Sequence, residues 1–159
     1  MTISIRDAVR ADTALILDLI KALAVYEKHA HEAVASEADI ARDLFGASPK
    51  VFCQIAEREG APAGFALWYY TYSTFQGRHG IWLEDLFVPE ALRGGGIGKA
   101  LLIDLARRCV REGLGRFEWA VLDWNQPSID FYKSQGAVFL DDWRRCRVSG
   151  GALTTLGAS

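Results

Sequence analysis

Apolar positions along this chain run first in alternation, then with helical spacing, then in alternation again. Ile3 and Ile5 fall on one side of Thr2–Arg6, which reads as a short strand. Behind Asp12, a residue suited to a helix cap, Leu15, Ile16, Leu19, Ile20 and Leu23 repeat with helical period. Ser36 with Asp39 three residues on predicts a capping box and a shorter helix ending near Gly46. Three strand patterns follow: Val51–Glu57, turned by Glu59-Gly60, then the aromatic-rich Ala63–Tyr72, then Ile81–Val88, stopped by Pro89. Ile97, Leu101, Leu102, Leu105 and Cys109 mark a helix, and Phe117–Leu122 a strand. Asn125–Gln135 is a helix with Pro127 in its first turn and Gly136 at its end, followed by two short strands around Val138 and Arg145. The order βααβββαβαββ predicts an α/β sandwich around a mixed, twisted central sheet.

Composition narrows the class. The chain has 159 residues, half of them hydrophobic, enough for the core of one domain spanning 1–159, with no repeat or Pro/Gly/Ser-rich linker. No apolar run reaches the roughly 18–20 residues that cross a bilayer, and the N-terminus is charged at Arg6, Asp7, Arg10 and Asp12, so a soluble cytoplasmic protein without membrane partners is expected. A net charge of -2 argues against general nucleic-acid binding. The three cysteines (Cys53, Cys109, Cys146) are isolated and the three histidines few, so no metal site is expected. Trp68–Tyr72 reads as strand packing, and Arg107, Arg108 and Arg111 as a solvated helix face.

The stretch most informative about chemistry is Arg93-Gly94-Gly95-Gly96-Ile97-Gly98-Lys99, between a strand and a helix. Missing side chains let the backbone approach an anion, and a helix N-terminus offers free N–H groups and a favourable dipole. Arg93 adds a cation suited to a phosphate. A P-loop would need glycine where Arg93 stands and Ser or Thr where Ala100 stands. The Rossmann spacing fails too, since the glycines fall at 94, 95, 96 and 98. In the later helix, Asn125, Ser128 and Tyr132 make a polar stripe, read equally well as a cap with a half-buried tyrosine.

Arg93, Gly96 and Gly98 fit Arg-x-x-Gly-x-Gly, and the chain resembles the GNAT superfamily of N-acetyltransferases. Tyr26-Glu27, Leu83–Val88, the glycine loop and Trp124–Lys133, taken in order with Ile20–Ala24 and Trp143-Arg144, look like its diamine acetyltransferase branch. The resemblance implies the GNAT fold, a homodimer, and acetyl-CoA held by Leu86, Phe87, Val88, the loop from Arg93 through Gly94, Gly95, Gly96, Ile97 and Gly98 to Lys99, and Asn125, Ser128 and Tyr132. It implies Tyr132 as the acid for the departing thiolate, Glu84 as the carboxylate receiving the amine, and Tyr26, Glu27, Glu118, Trp119 and Ala120 lining the acceptor site.

Acetyl transfer needs a neutral amine, a stabilised oxyanion and a protonated thiolate. Neighbours on a regular strand face opposite ways, so only one of Glu84 and Asp85 is expected to face the substrate, with Asp85 structural. The oxyanion donor is expected around Leu86–Val88, where the family's fold carries a bulge. Glu27 reads either as a pocket edge or as a solvated helix end. Attack is expected to be direct, with no cysteine nucleophile, on a small cationic amine: a polyamine, a diamine or a thialysine-like amino acid. The alternatives are an acetyltransferase for amino acids or protein amines, and a non-catalytic acyl-CoA sensor.

Overall fold

A computed structural model describes all residues, 1–159, and divides the chain into two compact units, Met1–Ala120 and Val121–Ser159. The first holds strands β1 (Ile3–Asp7), β2 (Phe52–Arg58), β3 (Ala61–Ser73), β4 (Arg78–Phe87) and β5 (Phe117–Trp119), with helices α1 (Thr13–Tyr26), α2 (Glu37–Phe45) and α3 (Ile97–Glu112). The second holds α4 (Gln126–Ser134) and α5 (Gly150–Gly157). The sheet is mixed, in the order β1-β2-β3-β4-β5, antiparallel except for the parallel β4–β5 pair. No helix is long and apolar enough to cross a membrane.

Alternation along the strands divides the sheet into two faces. On one, Cys53, Ile55, Phe65, Leu67 and Phe87 pack with Ile16, Leu19 and Leu23 of α1 and Ile40 and Leu44 of α2. On the other, Gln54, Trp68, Ile81 and Leu83 lie on the side of α3, whose buried stripe is Ile97, Leu101, Leu102, Leu105 and Cys109. There the Gln54 side chain accepts from Trp68 Nε1 and donates to Asp7 Oδ1 at 2.9 Å. The aromatic run packs as the sequence suggests, with Phe52 stacked on Trp68 at 4.8 Å. Arg107 and Arg111 are solvated, but Arg108 folds over the Trp68 ring at 5.1 Å and pairs with Asp7 and Glu112.

Local signals place most element ends. Ser36 and Asp39 form the expected reciprocal capping box. Glu59 (φ 52°) and Gly60 (φ 77°) make the tight β2–β3 turn, both left-handed as such a turn demands. Asp12 precedes α1 without capping it, because its carboxylate instead takes Arg6 at 2.8 Å and Val9 N at 2.7 Å.

Two expectations about strands fail. The strand expected over Phe117–Leu122 stops at Trp119, since β5 pairs only with Ile81–Leu83 and the β4 ladder is interrupted at the next residue. The strands expected around Val138 and Arg145 do not form, and Gly150–Gly157 is instead a helix. Neither segment finds a ladder partner, and without a partner there is no strand.

Candidate active site

Pro89 ends β4, a single turn over Glu90–Leu92 follows, and the chain reaches α3 through Arg93–Gly96. Gly94 (φ 81°) and Gly96 (φ 83°) are left-handed, and Gly96 is the N-cap of α3 with no side chain capping the helix. The first bond into the helix is Ala100 N to Gly96 O, so the N–H groups of Ile97, Gly98 and Lys99 have no acceptor within it. A β-carbon at Gly94 or Gly96 would meet nothing within 4 Å, so open space lies over those donors. Behind the loop, Gly64 lets β3 approach closely: a β-carbon there would sit 2.8 Å from Phe87 O. This opening suits the phosphates of a coenzyme.

Arg93 is less free than a bare phosphate clamp. Its Nε donates to Val88 O at 2.9 Å, and its guanidinium lies 4.4 Å above the Tyr26 ring and 5.6 Å from that of Phe87. One side chain thus ties the glycine loop to the end of α1, where Glu27 follows.

The strand before the loop carries a bulge. Trp68 pairs with Leu83 and Leu67 with Asp85, leaving Glu84 as the extra residue. Leu83 therefore points toward α3, whereas Asp85, opposite Leu67, points toward α1, and the intervening Glu84 follows Trp82 to the α1 side. This corrects the expectation that strand alternation separates Glu84 from Asp85, because alternation holds only for an unbroken ladder. The bulge itself falls at Glu84, just before the Leu86–Val88 stretch where it was expected.

Three carboxylates meet as a result. Glu84 is exposed and accepts from Trp82 Nε1 at 2.8 Å. Asp85 is mostly buried, and that burial, with the negative charges of Glu84 and Glu27, pushes its carboxyl up to about 7. Glu27 is also raised, chiefly by burial, with Glu84 adding to the effect and His29 opposing it. Beyond Leu83, β4 keeps β3 on one side but has no strand on the other, so alternate N–H groups of Glu84–Phe87 point out of an open sheet edge.

Of the other first-unit residues, Glu118 pairs in register with Trp82 and lines a small cavity of about 40 Å³ with Arg78, His79, Gly80 and Arg116, at the start of β4. The Trp119 ring packs on Phe117 at 4.9 Å, and exposed Ala120 follows β5. Burial raises the Cys53 thiol far above its ordinary range and Cys109 to about 11, so neither thiol is ionised near neutrality. In the second unit Asn125 is buried and caps α4, its Oδ1 accepting from Ser128 N at 3.4 Å. Tyr132, one turn beyond Ser128, is buried beside Phe131. The sequence singles out the glycine loop, Glu84 and Tyr132 as candidates; it does not show the grouping of Asp85 with Glu84, which no local pattern signals.

Residues 16–137 match the family described as Acetyltransferase (GNAT) family. A thialysine N-epsilon-acetyltransferase of Sus scrofa is 37% identical over 98% of this chain and 97% of its own length. An L-ornithine N5-acetyltransferase of Arabidopsis thaliana is 30% identical over 96% of this chain and 86% of its own. Among solved structures, an integron cassette protein from the mobile metagenome of V. cholerae superposes with a TM-score of 0.83 at 25% identity, covering 100% of this chain and 99% of that one.

Proposed function

The chain belongs to the GNAT acetyltransferase family and is an amine N-acetyltransferase, and from that premise we propose that it acetylates a small acceptor carrying more than one amino group. The observation that carries this reading is the group of Glu84 and Asp85, on the strand that feeds the glycine loop, with Glu27 at the end of α1. A monoamine needs one anion at most; a diamine, a polyamine or a thialysine-like amino acid presents a second cation for the others to hold. Relatives named for thialysine and for ornithine, both amino acids with a side-chain amine, support the same class.

Acetyl-CoA, the family's acyl donor, supplies an acetyl thioester when bound. The N–H groups of Ile97, Gly98 and Lys99 and the glycines before them would receive its phosphates, with Asn125 and Ser128 as further residues to hold it. Exposed Glu84, steadied by Trp82, attracts the ammonium group. Asp85 takes the proton, since a carboxylate titrating at about 7 is basic enough to compete for it near neutrality. The amine nitrogen would then attack the acyl carbon directly, with N–H groups on the open edge of β4 placed to donate to the acyl oxygen. As the C–S bond breaks, Tyr132 would give its phenolic proton to the leaving sulfur, a phenol with an ordinary value of about 10 matching a thiolate well, and the second proton shed by the nitrogen on becoming an amide would restore the phenol. The exposed apolar side chains of the second unit, among them Val138, Trp143 and Leu156, suit burial against another copy, so the proposed assembly is a homodimer.

The test is thiol release from acetyl-CoA with spermidine, putrescine, thialysine, ornithine, lysine, single-amine compounds and a basic peptide as acceptors. Turnover concentrated on acceptors with two amino groups is expected. Equal turnover of monoamines, or turnover of the peptide alone, overturns the acceptor class. Coenzyme binding without turnover of any amine points to a sensor.

A further inference from the structure

A cation beside the positive end of a helix is unfavourable unless an anion joins it. Arg58, the last residue of β2, is such a cation. Its side chain leaves the sheet on the face of Gln54 and Ala56, the side of α3, and a β-carbon built on Gly95 would lie 3.8 Å from its Nη1. Both neighbouring carboxylates are committed elsewhere: Glu57 pairs with Arg6 at 2.7 Å, and Glu59 accepts from Thr2 N at 2.7 Å. No ion pair involves Arg58 itself. Arg93, on the other flank of the loop, is turned onto Tyr26 and held by Val88 O.

We infer that Arg58 is a phosphate-binding residue of the coenzyme loop, its guanidinium closing over Gly95 onto an anionic oxygen of the bound coenzyme. This rests on the loop's coenzyme role proposed above. The short Glu59-Gly60 turn makes the placement possible, since it ends β2 where the last side chain still overhangs the loop. A guanidinium suits the task because its forked donors meet two phosphate oxygens at once.

Equilibrium binding of free CoA by calorimetry tests it, with wild type, Arg58→Gln, Arg58→Lys and the solvated-helix control Arg111→Gln, each checked for a native thermal transition. Arg58→Gln is expected to raise Kd by about tenfold or more. Arg58→Lys should recover part of the loss, Arg111→Gln should match wild type, and the salt dependence of binding should be shallower for Arg58→Gln. Repeating the titration with 3′-dephospho-CoA identifies the phosphate. An undiminished loss supports contact with the pyrophosphate; wild type and Arg58→Gln binding alike supports contact with the 3′-phosphate. A folded Arg58→Gln that binds CoA within about twofold of wild type, on the tenfold scale above, overturns the inference. Failure of wild type to bind CoA overturns the loop reading itself, and is distinguishable because no variant is then needed.

Discussion

Replacing Asp85 by asparagine removes a charge that the fold opposes and the base proposed for the chemistry, so stability and activity should move in opposite directions. The Asp85 carboxyl goes from an ordinary 3.8 to about 7 in the folded protein. Between those values the native state holds a proton that the unfolded chain has released, so native stability falls as pH rises through the window. Each unit corresponds to about 1.4 kcal/mol, which makes the full effect roughly 4 kcal/mol above neutrality, with roughly 2–3 kcal/mol of it between pH 5 and pH 8. Asparagine has nearly the same shape and does not titrate. Urea unfolding of both proteins at several pH values, with the variant-minus-wild-type difference taken at each, cancels groups common to the two. That difference should increase by roughly 2–3 kcal/mol from pH 5 to pH 8 in favour of Asp85→Asn, while kcat/KM for the amine falls by about 10²–10⁴-fold. A difference that stays flat or declines with pH would refute the account of Asp85, and unimpaired turnover would remove it as the proton acceptor.

Tyr132→Phe should lower kcat by about 10²-fold while KM for acetyl-CoA stays within about twofold, measured by steady-state thiol release; an unchanged kcat excludes the acid role. Gly96→Val forces a branched side chain into a left-handed position, at about 1–3 kcal/mol, and fills the open space above the loop. Its Kd for CoA should rise about tenfold or more, and normal binding would separate the loop from the phosphates. Gln54→Leu leaves the buried Trp68 Nε1 without its acceptor and should cost about 1–3 kcal/mol in denaturant unfolding, with a value near zero contradicting the importance of that bond.

Features fixed by a few adjacent residues were legible in the sequence. The Ser36–Asp39 capping box, the Glu59-Gly60 turn, the Asn125 cap and the glycine-rich turn leading into α3 are such features, and each appears where its residues predicted it. Features that need a distant partner were not. Asp12 has the chemistry of a cap, but Arg6 and Val9 N take its oxygens. Val138 and Arg145 lie in segments with strand character and no ladder to join. Arg58 looks like any hairpin-end arginine until the pairing of β1, β2 and β3 carries it over Gly95. Glu84 and Asp85 were recognised individually, but their common direction depends on a register shift against β3 that no residue type announces.

That register shift also bears on how the acceptor preference could change over evolutionary time. Because Glu84 is a supernumerary residue, an in-frame loss of its codon would join Leu83 to Asp85 opposite Trp68 and Leu67, in a regular ladder. Every pairing on either side would keep its partner, from Arg78–Ser73 to Phe87–Phe65, and β5 would still meet Ile81–Leu83. The β3–β4 ladder would become continuous, and the face toward α1 would carry one strand carboxylate where it now carries two. A single-codon insertion or deletion at this point is therefore a route by which descendants of one sheet could shift between acceptors of different charge.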